Sequence, residues 1–234
     1  MLLSHLRQQV LDANLEVVRQ GLVMHTFGNA SGIDRQQGLV VIKPSGVPYE
    51  EMTPEDLVLT DLNGKIVEGK LRPSSDLPTH LVLYKAFPRI GGVVHTHSEY
   101  ATSWAQACRP IPCFGTTHAD YFHGSVPVTC ALEGEEIASE YEENTGHGIV
   151  RAFQELDYER IPAVLVANHG PFTWGPDPKT AAHNAVILEA IARMAYFTQV
   201  INSGAQPIAS ALHDKHYLRK HGSKASYGQP GKSA

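Results

Sequence analysis

Gly92-Val93-Val94-His95-Thr96-His97-Ser98 is an apolar run that ends in two histidines one residue apart. Successive side chains on a β-strand point to opposite faces, so His95 and His97 share one face and Thr96 takes the other. Two neutral imidazoles delivered side by side are the start of a site for zinc or a neighbouring transition metal. Paired histidines also occur on ordinary surface and core strands, and thirteen histidines in 234 residues make any one of them less telling. The weight therefore falls on what else the chain can bring. Asp76 follows Pro73-Ser-Ser, and His169 closes Val164-Leu-Val-Ala-Asn, a second apolar run. Three imidazoles and one carboxylate make a sound zinc set. Taken singly, Asp76 reads first as an acid capping the first turn of a helix, and His169 reads equally as a hydrogen-bonded residue at a strand end.

Helices and strands alternate around these residues. Leu3, Leu6, Val10, Ala13 and Val17 recur at helical spacing, and Gly21 supplies a stop, so a helix is expected over 3–20. Glycine-rich turns are expected around 27–32. A strand over 38–43 then runs into Pro44-Ser45-Gly46, and strands over 57–60 and 65–67 flank the Asn63-Gly64 hairpin signal. A short helix with Leu77, Leu81 and Tyr84 on one face opens after Asp76 and closes at Pro88. Beyond the strand at 92–97 come a helix over 101–107 and an extended, turn-rich stretch over 111–129. Helices over 135–143 and 148–156 are separated by Asn144-Thr-Gly146, and a strand follows over 163–167. Asp177-Pro178 caps a long helix to about Asn202, with Ala181, Ala185, Leu188, Ala192 and Ala195 as its core stripe. No repeat or linker interrupts the chain before a tail from about residue 222. The expectation is one domain over 1–234, with helices covering a central sheet.

Composition narrows the function classes. Apolar residues make up 42% and charged residues 18%, a globular balance, and 19 basic against 24 acidic residues give a net charge of −5 with no long basic stretch. Nucleic acid is therefore not an expected partner. Polar residues come too early after Met1 for a signal peptide, and no apolar stretch is long enough to span a bilayer. A soluble, cytoplasmic protein is expected. Cys108, Cys113 and Cys130 form no disulfide framework or metal spacing and read as free structural thiols.

Several small turns offer backbone N–H groups and hydroxyls to an anion: Gly28-Asn29, Ser45-Gly46 and Ser74-Ser75, the last before a helix N-terminus, with Lys43 available to add charge. Each alone is as readily a plain turn. Three such turns grouped beside one metal site would be less easily read as plain turns.

The combination of Thr26-Phe-Gly28-Asn29, Ile42-Lys-Pro-Ser45-Gly46, Pro73-Ser-Ser-Asp76-Leu-Pro-Thr-His80, His95-Thr-His97-Ser98, Gly115-Thr-Thr-His-Ala-Asp120-Tyr121, Asn168-His169-Gly-Pro-Phe-Thr-Trp174-Gly175 and Asp214-Lys-His216-Tyr-Leu-Arg219-Lys-His-Gly222 resembles the class II aldolase/adducin-like family. The resemblance covers about Leu6 to Tyr227. It implies a three-layer α/β/α fold with a central, mainly antiparallel sheet. It also implies Asp76, His95, His97 and His169 as ligands of a divalent metal, zinc first, with manganese or cobalt as alternatives. Gly28, Asn29, Ser45, Gly46, Ser74 and Ser75 would hold a substrate phosphate, and Asp120 and Tyr227 would be the acid/base pair, in a homotetramer whose sites lie between subunits. Without the resemblance, Asp120 reads as a turn residue, Tyr227 as tail, and the basic run Lys215 to Lys224 as a solvated face; the resemblance implies that this tail is a lid or interface element instead.

The activity so implied is inversion of C4 in a pentulose 5-phosphate, interconverting the L-ribulo and D-xylulo sugars by C3–C4 cleavage and re-addition in pentose catabolism. The alternative is a sugar-phosphate aldolase of the same family. Asp76 speaks for the epimerase, because those aldolases typically carry Glu there, and so do Asp120 and the segment 216–221. A non-enzymatic adducin-like binding protein would not need the full ligand set.

Overall fold

A computed structural model describes residues 1–222 and 225. Seven strands form one sheet: β1 Asn29–Asp34, β2 Leu39–Ile42, β3 Val58–Asp61, β4 Ile66–Glu68, β5 Gly92–His95, β6 Ala163–Leu165 and β7 Pro171–Gly175. Their order is β4-β3-β2-β1-β5-β7-β6, and every neighbouring pair is antiparallel. The helices are α1 Ser4–Arg19, α2 Leu77–Ala86, α3 Glu99–Gln106, α4 Thr116–Ala119, α5 Glu135–Ala138, α6 Tyr141–Ala152, α7 Pro178–Ile201 and α8 Ser210–His221.

The period-2 alternation of the strands builds three layers. Val40, Ile42, Val58, Val93, Phe172 and Trp174 pack with Leu81 and Tyr84 of α2 and Ile149 of α6 on one face. Their sequence neighbours turn the other way. Val41 and Leu59 meet Val10 and Leu11 of α1, while Ala30 and Val94 meet Ala13 and Val17 of α1 and Ala181 and Ala185 of α7. Each fully buried side chain of this kind contributes roughly 1.5–3 kcal/mol. Leu188, Ile191 and Ala192 of α7 then carry the packing on to Ala101 and Trp104 of α3. The three-layer α/β/α arrangement with an antiparallel sheet is thus the one the resemblance implied.

Two strands absent from the pattern-based reading, β1 and β7, flank β5 at the centre of the sheet. Asn29-Ala-Ser-Gly-Ile-Asp34 carries glycine and small polar residues that speak against strand, while in Pro171-Phe-Thr-Trp-Gly175 only three strand formers stand between a proline and a glycine. The glycines have a packing cause. Gly32, Gly92 and Gly175 lie opposite one another across β1, β5 and β7. A Cβ at Gly32 would come within 2.8 Å of Leu6 and Pro178, at Gly92 within 2.5 Å of the Pro178 backbone, and at Gly175 within 2.8 Å of Thr180. The row lets the first turn of α7 lie directly on the sheet, where Asp177 caps it by accepting from the Thr180 N–H at 2.7 Å.

A second departure is α6. A break was expected at Asn144-Thr-Gly146, yet one helix runs through it. Gly146 faces α2, where a Cβ would sit 2.7 Å from Val82, so this glycine serves a close helix crossing rather than a turn. The 163–167 strand is shorter than expected and ends at Leu165.

Gly92→Ala places its methyl against α7 backbone that cannot swing aside. Overpacking of this kind costs about 3 kcal/mol. A urea midpoint for the variant equal to that of the parent protein would show that α7 does not depend on the glycine row.

Candidate metal and phosphate site

His95 ends β5 with its backbone opposite Asn29 of β1 on one side and Phe172 of β7 on the other. Its ring stacks on Phe172, centroids 4.2 Å apart and 18° between planes. The Pro171 carbonyl, which can only accept, lies 2.9 Å from Nδ1. Nδ1 therefore carries the proton and Nε2 keeps a lone pair, directed at Nε2 of His97 3.1 Å away. His169 lies in the turn between β6 and β7, beyond the strand where the sequence placed it. Asn168 at φ 61° makes the left-handed step before it, a conformation Asn tolerates better than most residues. One nitrogen from each of His95, His97 and His169 lies within 4.8 Å of the others. Burial pushes His97 down and His169 down to about 4, and neighbouring imidazoles add to both shifts. Neutral imidazole is the form a metal requires. Three imidazoles with converging nitrogens, one held in its tautomer by a backbone carbonyl, fit a divalent transition metal.

Asp76 occupies the N-cap position of α2 but makes no side-chain cap bond, which removes the capping alternative. Its Oδ2 instead accepts from Asn29 Nδ2 at 2.7 Å, and the same amide donates to Ser74 Oγ at 2.9 Å. Burial pushes the Asp76 carboxyl up, but His95, His80 and the Asn29 hydrogen bond outweigh it and hold it below the ordinary range. The carboxylate lines the same pocket as the three histidines, although its oxygens fall outside their tight cluster.

That pocket, about 400 Å³, is lined by Gly28, Asn29, Ser45, Gly46, Ser74 and Ser75 together with Asp76, His95, His97 and His169. All six residues expected to hold phosphate therefore meet all four expected ligands. Among the described residues the N–H groups of Gly46 and Ser75 donate to no protein acceptor. Gly28, at φ 98°, passes so close to β5 that a Cβ would lie 2.9 Å from the His95 carbonyl oxygen. Lys43 forms part of the wall. Its Nζ donates to the Pro44 and Val47 carbonyls and sits 4.6 Å from the Tyr49 ring centre. Burial pulls its pKa down to about 8, which leaves it mainly cationic at neutral pH and able to attract an anion.

Asp120 does not line this pocket. It follows α4, where its carboxylate accepts from Arg219 through both oxygens at 2.9 and 3.0 Å and from His216 Nδ1 at 3.0 Å, with Lys220 Nζ at 3.7 Å. Burial pushes its carboxyl up, and the Arg219 and His216 hydrogen bonds more than reverse that shift. Its expected partner, Tyr227, lies outside the described residues. The basic run read as a solvated face is instead, in part, the helix that clamps Asp120.

Sequence reasoning gave no role to His80, which is wholly buried behind the ligand cluster. Its Nδ1 is 2.7 Å from Ser31 Oγ, which in turn is 2.8 Å from the Tyr84 hydroxyl. The spacing His80-x-x-x-Tyr84, one helical turn on a buried face, was its only available signal. Tyr141, exposed at the pocket rim, brings its hydroxyl within 3.4 Å of His169 Nδ1.

Burial also sets an acid limit. His80 is pushed down to about 3 and His118 to about 4, both chiefly by desolvation. Both bind protons near pH 6.5 only when unfolded, so their stabilising neutrality is complete above 6.5 and is lost as pH falls toward the folded values. Each removes ~1.4 kcal/mol per pH unit in that window. Urea midpoints should fall steeply between pH 6.5 and 5, and less steeply in His118→Gln. Midpoints that stay flat would contradict the burial of these rings.

The chain matches the family described as class II aldolase and adducin N-terminal domain over residues 8–196. It is 55% identical over 227 residues to the L-ribulose-5-phosphate 4-epimerase UlaF of Salmonella paratyphi A and to that of Salmonella typhi, covering 97% of this chain and 100% of each relative. Among solved structures, an L-fuculose 1-phosphate aldolase superposes with a TM-score of 0.79 at 25% identity, over 94% of this chain and 97% of that one. A putative aldolase/epimerase/decarboxylase, YgbL of Klebsiella pneumoniae, gives 0.72 at 25% identity, over 90% and 97%. With its fold, its converging imidazoles and its whole length so matched, this chain belongs to the class II aldolase and adducin family.

Proposed function

We propose that this chain is a metal-dependent epimerase that interconverts L-ribulose 5-phosphate and D-xylulose 5-phosphate. The observation that carries the reading is the single pocket in which three imidazoles, Asp76 and the three small turns face one another. End-to-end similarity to 4-epimerases supports the choice of substrate. His95, His97, His169 and Asp76 would hold a divalent metal, zinc by its preference for imidazole, with manganese and cobalt as alternatives. Such a metal supplies Lewis-acid stabilisation of negative charge developing on substrate oxygen.

The C4 hydrogen of a 2-ketose is not adjacent to the carbonyl, so removing it directly gives no stabilised carbanion. Inversion instead requires a base to take the C4 hydroxyl proton while C3–C4 breaks. The aldehyde fragment then turns over and is added back on its other face. The Gly28, Ser45–Gly46 and Ser74–Ser75 turns, with Lys43, would grip the phosphate of that fragment and keep it from escaping between the steps. Attack on the two faces calls for two proton-transfer groups on opposite sides. Asp120 and Tyr227 are the proposed pair. Asp120 lies outside the pocket of its own chain, which supports an assembly in which a neighbouring subunit completes the site, as in a cytoplasmic homotetramer.

The direct test loads the protein with zinc or manganese and follows L-ribulose 5-phosphate by NMR. Growth of D-xylulose 5-phosphate to an equilibrium mixture is expected, and His97→Ala should lose bound metal and turnover together. The structural likeness to an aldolase favours one rival. Release of free dihydroxyacetone phosphate from an L-configured aldol phosphate, with no epimerisation, would replace the epimerase reading.

Asp120→Asn separates proton transfer from metal binding. It should keep its metal and lose about 10²–10⁴-fold in turnover, the usual worth of a positioned acid or base. Near-parental turnover would remove Asp120 from that role.

A further inference from the structure

Away from the pocket, α8 meets the segment that follows α4. There His123 Nε2 lies 3.2 Å from Asp214 Oδ1, and His213 Nδ1 lies 3.4 Å from the same oxygen. The three donor atoms all fall within 4.8 Å of one another. Ligands held at zinc–nitrogen and zinc–oxygen bond lengths around a tetrahedral ion stand roughly 3.4 Å apart, so two edges of such a polyhedron are already set. We propose that His123, His213 and Asp214 form a second divalent-cation site, for zinc or a similar imidazole-seeking ion, separate from the sugar-phosphate pocket.

The tautomer of His213 decides what this cluster can do. Its buried Nε2 stands between two backbone groups, 3.0 Å from the Gly124 N–H and 3.2 Å from the Phe122 carbonyl. With the proton on Nδ1, Nε2 accepts from Gly124 and Nδ1 donates to Asp214. With the proton on Nε2, that nitrogen donates to Phe122, and Nδ1 offers its lone pair on the side of Asp214 and His123. The second state is the one a metal selects, because ligating histidines commonly donate their other N–H to a carbonyl or carboxylate. Both carriers are anchored. Phe122 is fully buried, and the His123 N–H donates to the Arg160 carbonyl at 2.9 Å. Burial and the Arg160 charge keep His123 below its ordinary pKa and hence neutral. The Arg160 side chain is itself turned to Tyr217, 5.2 Å from its ring centre. The half-exposed Asp214 leaves the site open to solvent.

An ion here would tie the start of α8 to the Phe122–Gly124 segment. The same helix two turns later carries Arg219 and Lys220, which hold Asp120, so the site would brace that clamp without touching substrate.

Metal content per chain tests the proposal, on full-length protein reconstituted with zinc and dialysed against buffered free zinc. The parent should retain two ions. His123→Gln and Asp214→Asn should each retain one, and His97→Ala should retain one by losing the other. The His97→Ala arm therefore reports on the pocket and the other two on the new site, so failure of one reading is distinguishable from failure of the other. Asp214 is exposed enough for the Asn variant to fold, and circular dichroism of each variant confirms it. Cobalt loading gives an independent signature, a visible absorption component present in the parent and His97→Ala but missing from Asp214→Asn. One zinc in the parent that His123→Gln and Asp214→Asn both keep, or two in both of those variants, overturns the site; one zinc that both of them lose and His97→Ala keeps overturns only the pocket reading.

Discussion

The register of β5 between β1 and β7 is the constraint on which the rest of the molecule depends. Pairing Gly32 with Gly92 and Gly92 with Gly175 puts three residues without side chains in a row, and only across such a row can the first turn of α7 rest on the sheet. The same register, three residues further along β5, sets Asn29, His95 and Phe172 side by side. Asn29 reaches Asp76 and Ser74, Phe172 stacks on the His95 ring, and the Pro171 carbonyl fixes its tautomer. A slip of one residue would turn His95 toward α7 and bury side chains where glycine is needed. Helix packing and ligand placement are therefore consequences of one alignment.

Electrostatics then divides the site into complementary parts. The His97 and His169 imidazoles resist protonation, because desolvation penalises their charged form and neighbouring imidazoles would repel it. Asp76 stays ionised among them, so the cluster presents neutral nitrogens and a single negative charge, a setting that favours a divalent cation. In the same pocket Lys43 and the N–H groups of Gly46 and Ser75 present positive potential. The negative and positive groups share one pocket without pairing, since Asn29, not Lys43, holds the Asp76 carboxylate.

Asp120 belongs to a different local order. Arg219 grips it through both oxygens, the geometry in which guanidinium and carboxylate bind most strongly, and His216 adds a further donor. A carboxylate so held is fixed in position and ionised. This arrangement makes α8 a structural support for whatever Asp120 does, and it ties the helix that follows the long α7 to the short α4. His123 and His213, which meet at the other end of α8, belong to the same junction.

Much of this was legible in the sequence because local rules carry it. The alternation in Gly92–His95 placed His95 and His97 together, helical spacing gave α1 and α7 nearly to their ends, and Asn63-Gly64 announced its hairpin. The residues that the family motifs named as ligands or phosphate holders all line one pocket. The sequence read by itself did not find β1 and β7: glycine and small polar residues argue against β1 until the helix lying on it is known, and β7 offers only three strand formers between Pro171 and Gly175. It broke α6 at Gly146, where the reason for glycine is Val82 on another helix. It took part of α8 for a solvated face, because the carboxylate that its cations hold is nearly a hundred residues away. Spacing fixes what adjacent residues share. Only tertiary structure decided which segments approach closely enough to require a missing side chain, or to supply a missing charge.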